Sequence, residues 1–546
     1  MSVAEAEQTE ERTEDPQPRR RVSSRLLLWA VVPIPALLAI AEALRSPRMN
    51  FNDYWTILAK VTWPDGSLRS GQLFDLYNEH PITLVGPLFW LDAKFFHAYN
   101  YVLGLFNVLL VAVIFVVLVR MLPARLTGTA RVAVIAGLSL LLFSSAALEF
   151  FGMGMSGLHW LVGLVPAVVA VYFAQRGQTV LAAVFAAIGC FGHGSAFPVW
   201  VALALIAWLR RDRLWQVLLP IGLGVVTIVL WLLPARPPSY PAPTLLGADT
   251  ILGTTVATLG QVFAARSTDL AFVAGTIIAA FIAFVVVKGL RDRSTVDDAG
   301  WVGLAVLVVL VAVMVGISRA KFNTGEGLTP RYAMIALLGA AAFLVLVTRF
   351  RRQVVPLTLL MGVTTYAVGS AHATDVRANY PQQPMLAVAM RVEAPSVIEN
   401  MNSTKAVLPI LRSLKAYPFT DDFTLGCGKY ELGSLVDMSQ VAELPGPVGS
   451  SKTAGAVETG PVTGDTKMFG WAVIDGHAAD CVMVVDGGSV VVGGGAVGVP
   501  RPDVAETTHG TGRAGWHAVA KPGVQDAKVL VRSGERLYRI SLVIKV

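Results

Sequence analysis

Long apolar stretches separated by short polar ones dominate the first two thirds of the chain. A helix needs about 20 consecutive apolar residues to cross the hydrocarbon core of a bilayer, and about eleven segments meet or nearly meet this length. They are 26–44, 99–119, 131–150, 157–174, 178–192, 196–209, 214–233, 269–287, 300–317, 331–348 and 354–370. The pattern predicts a mainly α-helical polytopic membrane domain over 25–370, and the two short segments within 178–209 can instead form a broken pair around His193.

The pattern changes on both sides of this domain. Residues 1–24 are charged and poor in apolar side chains, which predicts a disordered cytoplasmic tail. Residues 371–455 form a connecting segment without a spanning stretch. From 456 to 546, short Val-rich strands alternate with Gly, Asp and Pro turns, and this spacing predicts a C-terminal β-sandwich domain.

Composition and charge narrow the class of protein. The chain is 54% hydrophobic and only 15% charged, whereas soluble proteins carry about 25% charge. This balance excludes a water-soluble monomer, a disordered protein and a disulfide scaffold. The net charge of +7 comes from short Arg clusters between apolar stretches. Such clusters are typical of the loops of a membrane protein and argue against nucleic acid as a partner.

The same clusters orient the chain in the lipid bilayer. With a cytoplasmic N-terminus, eleven crossings place the loops that contain Arg125, Arg176, Arg211, Arg291 and Arg351 on the inner side. We therefore predict a multi-pass protein of the cell membrane. A large first outer loop, 45–98, and the C-terminal domain then lie outside the cell.

The first outer loop holds the most distinctive polar residues. Asp53, Tyr54 and Trp55 follow the first span, and Asn78-Glu79-His80 precedes a short apolar stretch, 82–92, which predicts an interfacial helix. Further polar residues stand at the outer ends of later spans: Glu149, His159, Trp160, His193, Lys321, Asn323, Glu326, Arg331 and Tyr332. Each has an ordinary structural alternative, such as a helix cap, a turn or a snorkelling Arg. Their gathering on one side predicts a single site.

These features resemble the GT-C class of polyprenyl-phosphate-sugar-dependent glycosyltransferases, which have an Asp beyond the first span and a large first outer loop. Tyr77-Asn78-Glu79-His80-Pro81-Ile82 resembles the Asn-Glu-His-Arg-Ile motif of a group of bacterial membrane proteins, with Pro81 in place of the Arg. Segments 151–155 and 192–200 are similar to later parts of that group.

The resemblance implies inverting transfer of a sugar from a polyprenyl-phosphate donor to an envelope glycan or lipid acceptor. Asp53 would be the general base, Glu79 and His80 would orient the acceptor or assist the base, and Arg331 with Lys321 would bind the donor phosphate. The remaining expected substrate contacts are Tyr54, Trp55, Asn78, His159 and His193. The oxygen ligands Asp53 and Glu79 would suit Mg²⁺, Mn²⁺ or Ca²⁺, but two carboxylates do not define a metal site, and no other cofactor is indicated.

Three other functions are alternatives to glycosyl transfer. A lipid-linked phosphotransferase or acyltransferase would share a one-sided site. A transporter would need ionisable residues at mid-membrane, where this chain is nearly all apolar. A non-catalytic envelope-assembly protein would act through the C-terminal domain.

The cysteines predict one disulfide. Cys427 and Cys481 both fall in the part of the chain predicted to lie outside the cell, where disulfides persist, whereas Cys190 lies within a predicted span. A Cys427–Cys481 bridge would tie the connecting segment to the β-sandwich.

Overall fold

The computed structural model describes residues 24–233, 247–292, 296–319, 322, 324–350, 355–446, 451–459 and 467–541. The predicted tail 1–24 therefore lies outside the described residues except for Ser24. Up to residue 377 the structure is almost entirely helical. Its helices are α1 Ser24–Val31, α2 Ile34–Arg45, α3 Asp53–Val61, α4 Val85–Phe95, α5 Asn100–Met121, α6 Gly128–Leu142, α7 Leu148–Gly152, α8 Gly154–Gln175, α9 Thr179–Gly192, α10 Val199–Arg210, α11 Leu214–Leu232, α12 Ala248–Gly260, α13 Thr268–Asp292, α14 Ala299–Arg319, α15 Ala333–Val347 and α16 Val355–Arg377.

Within the described ranges, eight helical stretches are long and apolar enough to cross a membrane. They are Arg25–Arg45, Asn100–Met121, Gly128–Gly152, Gly154–Gln175, Leu214–Leu232, Thr268–Arg291, Ala299–Arg319 and Pro330–Val347. Segments 178–192 and 196–209 form shorter apolar helices, and 354–370 lies in α16, which is not among the eight. The apolar helices support a membrane protein, and the count of about 11 spans stays a prediction.

The structure contains one long helix to which the hydropathy pattern assigned no element. Helix α12 follows α11 and packs tightly against α13. A Cβ atom at Gly260 would lie 1.9 Å from the carbonyl oxygen of Ala271, and one at Gly275 would lie 2.0 Å from that of Val256. Small residues allow two helix backbones to approach this closely. The Thr-rich sequence of α12 lowers its apolar content, and this explains why the hydropathy pattern missed it.

The C-terminal region is rich in β-structure, as predicted, but it begins earlier. Two short strands of the first outer loop are β1 Leu76–Tyr77 and β2 His80–Pro81. The strands of the C-terminal region are β3 Val441–Leu444, β4 Ala454–Thr459, β5 Lys467–Ile474, β6 His477–Ala478, β7 Cys481–Val485, β8 Val491–Val499, β9 Gly515–Ala520, β10 Lys528–Ser533 and β11 Arg536–Ile540, and a short helix, Pro502–Thr508, lies between β8 and β9. These strands form one nine-stranded sheet in the order β3-β11-β10-β7-β8-β9-β5-β4, with β6 paired to β5. The sheet is continuous, so the predicted two-sheet sandwich is not established. It starts at Val441 because β3 pairs in parallel with β11.

The first outer loop, the connecting segment and one face of the sheet share a single hydrophobic core. Trp55 and Phe89 from the loop lie in it together with Met385, Leu411 and Met483. The disulfide between Cys427 and Cys481 is present and lies in the same core. Short helices Gln383–Arg391, Pro395–Asn400 and Leu408–Leu414 supply much of this core from the connecting segment. Burial of these apolar side chains therefore holds the first loop against the sheet.

Candidate functional site

The Tyr77-Asn78-Glu79-His80 motif forms a tight hairpin. Two short strands, Leu76–Tyr77 and His80–Pro81, pair antiparallel, with Tyr77 opposite His80. The turn contains Asn78, whose φ of 53° lies in the left-handed region that Asn tolerates well. The amine of Lys60 in α3 donates to the carbonyl oxygen of Leu76 at 2.9 Å. The hairpin is thus anchored to α3 and presents Glu79 and His80 at its tip.

Three histidines from distant parts of the chain meet at this hairpin. The rings of His80 and His193 stack with centroids 4.0 Å apart, and His159 approaches both edge-on, at 5.7 and 5.0 Å. His159 lies in the second turn of α8, and His193 caps the C-terminus of α9. Because Gly163 has no side chain, α8 and α9 approach closely; a Cβ there would lie 2.7 Å from the Cβ of His193.

The protonation state of His193 follows from its hydrogen bonds. The backbone N–H of Ser195 donates to His193 Nδ1 at 3.1 Å, and the Ser195 hydroxyl lies 2.8 Å from the same nitrogen. A nitrogen that accepts a hydrogen bond carries no proton, so His193 is neutral with its proton on Nε2. A neutral ring can stack on His80 without charge repulsion.

Two carboxylates and one guanidinium border the histidines. Asp53, the first residue of α3, accepts a hydrogen bond from the Tyr77 hydroxyl at 2.9 Å, and it is close enough to His159 to interact electrostatically. Glu79 Oε1 lies 3.9 Å from a guanidinium nitrogen of Arg319, the last residue of α14. Arg319 Nε also donates to the Tyr332 hydroxyl at 3.0 Å. The site therefore combines a base, hydrogen-bonding groups and a cation.

Several polar atoms of this site have no hydrogen-bond partner among the described residues. They are Glu79 Oε2, His80 Nδ1 and His159 Nε2, each buried at the atomic level. Buried polar atoms are nearly always hydrogen-bonded in folded proteins. Their concentration here indicates a place that a polar ligand or water fills.

Burial, together with the nearby His159 ring and the Arg319 guanidinium, lowers the pKa of His80 well below its ordinary value of 6.5. His80 is therefore neutral at pH 7 and can accept or donate a hydrogen bond.

In the part of the chain that the structure describes, no group of three or more His, Cys, Asp or Glu side chains could hold a metal ion. The pairing of Asp53 and Glu79 as metal ligands gains no support from this geometry.

Two of the predicted substrate-binding residues belong to the core instead. Tyr54 is fully buried and donates its hydroxyl proton to Asp92 Oδ2 at 2.7 Å, in α4. Trp55 is also fully buried, and its indole N–H donates to the carbonyl oxygen of Asn50 at 3.1 Å. Because successive helical residues point about 100° apart, Asp53 can face the site while Tyr54 and Trp55 pack inward. Both side chains are therefore part of the hydrophobic core.

Of the two predicted phosphate-binding cations, the structure describes only Arg331. Lys321 lies outside the described residues. Arg331 is exposed, stands over the Tyr332 ring at 5.8 Å and interacts electrostatically with Glu149. Among the described ion pairs, none joins Arg331 to Asp53 or Glu79. The side chain of Asn78 has no hydrogen bond in the described part of the chain, so its role is the turn.

Sequence reasoning missed Arg319 and Trp231. Arg319 is the cation at the end of the apolar stretch of α14, and this position is the one sequence signal that could have identified it. The Trp231 indole N–H, at the end of α11, donates to the carbonyl oxygen of Glu79 at 2.8 Å. No local pattern distinguishes Trp231 from the other tryptophans of the membrane domain.

An apolar groove of about 340 Å³ lies beside the polar site. Thr83, Leu84 and Leu88 form one wall, Phe106 and Leu110 of α5 another, and Leu161, Val162 and Val165 of α8 the third. Thr83, in one wall, follows His80 by three residues, and Leu161, in another wall, follows His159 by two. Polar and apolar binding surfaces therefore adjoin at one end of the helical domain.

Comparisons with protein-family models, curated proteins and solved structures found no match to this chain.

Proposed function

We propose that this protein is a membrane glycosyltransferase that moves a sugar from a polyprenyl-phosphate donor to an envelope glycan or lipid acceptor on the outer face of the cell membrane. One observation carries the proposal. A carboxylate, a guanidinium and three histidines converge at one end of the membrane helices, directly beside an apolar groove. A lipid-linked sugar needs both kinds of surface. The resemblance of the first outer loop to the GT-C class supports the same reaction.

Asp53 is the proposed general base. Tyr77 donates to one of its carboxylate oxygens, and the other forms no hydrogen bond with the described residues, so it can accept the proton of an acceptor hydroxyl. The acceptor oxygen forms a bond to the anomeric carbon as the bond from that carbon to the phosphate oxygen breaks. The electron pair leaves with the polyprenyl phosphate, and the anomeric configuration inverts. A positioned base contributes about 10²–10⁴-fold.

Arg319 is the proposed ligand of the donor phosphate, the role that the resemblance gave to Arg331. Its guanidinium faces Glu79 and the histidines, where it would neutralise the charge that develops on the leaving phosphate. Fixed charges at such a position act strongly in a site that excludes water. His80 and His159, with their unpartnered nitrogens, would bind the acceptor or the sugar hydroxyls.

The apolar groove would hold the first isoprene units of the donor. Its walls are almost free of polar groups, and it lies along the second to fourth turns of α5 and α8. The donor's phosphate would then lie near Arg319 while its chain leaves sideways into the lipid.

Mass spectrometry of lipids extracted from the purified protein tests the proposal. We expect co-purified polyprenyl phosphate, and its loss on Leu110→Trp, because Leu110 is a half-buried side chain in the groove wall. Ile221→Trp, on the exposed face of α11, is the matched control. Release of sugar to an acceptor in vesicles that contain a polyprenyl-phosphate sugar tests transfer itself. Ion-driven flux would overturn the proposal in favour of a transporter. Phosphoryl or acyl transfer without sugar transfer would favour a phosphotransferase or acyltransferase. A protein that shows no activity and binds no polyprenyl phosphate would favour a non-catalytic role.

A further inference from the structure

A second cavity lies at the opposite end of the same helices. Helix α8 begins beside the histidines and ends at Gln175, and its 22 residues span about 33 Å at 1.5 Å per residue. Around its far end is a cavity of about 260 Å³, lined by Arg120, Arg176 and Arg210 together with Tyr172, Gln175 and Asp297. It is therefore about 24 Å along α8 from His159, sixteen residues at 1.5 Å each, towards the opposite side of the bilayer core.

The three arginines come from the C-terminal ends of three different helices. Arg120 lies in the last turn of α5, Arg176 follows α8, and Arg210 ends α10. Two of them are held in place: Arg210 donates to Asp212 at 3.1 Å and to the carbonyl oxygen of Gln175, and Arg176 stands over the Tyr172 ring at 4.7 Å. The packing of the helix ends thus gathers the positive charge at one point.

The charge of this cavity is only partly balanced. Asp212 neutralises Arg210, and Asp297 is the one carboxylate among the described residues that line the cavity. Arg120 and Arg176 are exposed and form no ion pair with the residues that the structure describes. The neighbouring Arg125 is already paired with Asp298 at 2.6 Å. Positive charge is therefore left over at a membrane boundary.

We propose that this cavity binds the phosphate headgroup of an anionic phospholipid. Its volume is below the 300–1,000 Å³ that is usual for sites of larger ligands and suits a headgroup. Basic pockets between helices at a membrane boundary bind anionic headgroups in this way. This inference does not depend on the activity proposed above.

Thermal-stability titrations of the full-length protein in neutral detergent test the inference. The probes are short-chain phosphatidylglycerol, short-chain phosphatidylcholine and inorganic phosphate. We expect phosphatidylglycerol to raise the melting temperature and the other two to have no comparable effect. Each arginine contributes about fivefold in affinity near an anionic headgroup, so Arg120→Gln/Arg176→Gln should bind phosphatidylglycerol about 25-fold more weakly.

Arg291→Gln is the matched control, because Arg291 stands at the end of α13 and does not line the cavity. It should titrate as the unchanged protein does. If the double variant fails to fold, Arg120→Gln alone, at an exposed side chain, should still lose about fivefold. An unchanged titration in the variants would overturn the inference. An equal effect of phosphatidylcholine or of inorganic phosphate would also overturn it, in favour of a nonspecific lipid effect or a soluble phosphate compound.

Discussion

The imidazole rings of His80 and His193 stack with their centroids 4.0 Å apart and their planes inclined by 23°. His80 belongs to the first outer loop and His193 to the turn between two membrane helices, so this contact joins the two parts of the candidate site. Gly194 makes room for it, because a Cβ there would lie 3.0 Å from His80 Nδ1. The contact requires at least one neutral ring, which makes the site sensitive to pH.

Asp53→Asn should abolish sugar transfer and leave membrane insertion intact. The amide keeps the shape of the carboxylate but cannot take a proton, so a loss of about 10²–10⁴-fold in kcat is expected. Transfer is measured with a polyprenyl-phosphate sugar in vesicles. Asp65→Asn is the control, since Asp65 caps an exposed turn by accepting from Ser67. Undiminished transfer by the Asp53 variant would remove Asp53 from the mechanism.

Arg319→Gln should impair use of the donor more than use of the acceptor. Removing one group that stabilises the charge of a transition state typically lowers kcat by about 10²–10³-fold. Steady-state kinetics with donor and acceptor varied separately measure the effect. The sequence predicted this behaviour for Arg331→Ala, and the geometry leads us to expect a smaller effect there. A larger loss at Arg331 than at Arg319 would show that the donor phosphate lies near Arg331 instead.

Acidification should destabilise the protein through His80. Its pKa is lowered in the folded state, chiefly by burial, so the unfolded chain binds the proton more tightly and stability rises with pH. Stability is then lost as the pH falls below about 6.5, by up to about 1.4 kcal/mol per pH unit. Melting temperatures between pH 7.5 and 5 should show a flatter slope for His80→Gln. His477→Gln, in an exposed strand, should keep the slope; an equal slope in all three proteins would contradict the prediction.

Asp92→Asn should stabilise the protein at neutral pH. Burial raises the pKa of Asp92 to about 8, although the hydrogen bond from Tyr54 offsets part of this rise. The folded state therefore retains a proton that the unfolded chain releases above about pH 4, and stability falls as the pH rises towards 8. The melting temperature of the variant should exceed that of the unchanged protein at pH 7.5 and approach it near pH 4. A lower value at pH 7.5 would contradict the prediction.

Removal of the disulfide should destabilise the region outside the membrane helices. Cys427 and Cys481 are 54 residues apart in sequence, and a native bridge of this kind contributes roughly 2–4 kcal/mol. Cys427→Ser/Cys481→Ser should lower the unfolding temperature of the β-rich region. Cys190→Ala, at the buried free cysteine, is the control. Unchanged gel mobility on reduction and three free thiols in the oxidised protein would show that the bridge does not form in solution.

The membrane helices and the gathering of polar residues could be predicted from the order of residues along the chain. Long apolar stretches are a local signal, because hydrocarbon thickness sets the length of a helix directly. The places of Asp53, Glu79, His80, His159 and His193 at the ends of those stretches were enough to predict that they meet. The pairing of Cys427 with Cys481 needed only the predicted sidedness of the chain.

Which side chains face the site depends on how the helices pack and rotate against one another. The rotation of α3 turns Asp53 towards Tyr77 and buries Tyr54 and Trp55. The packing of α14 brings Arg319, rather than Arg331, to Glu79. These choices depend on contacts between residues far apart in the chain, as does the parallel pairing of β3 with β11 that makes the sheet continuous. Hydrophobic periodicity carries no information about such contacts, because it reports the environment of a segment and not its partner.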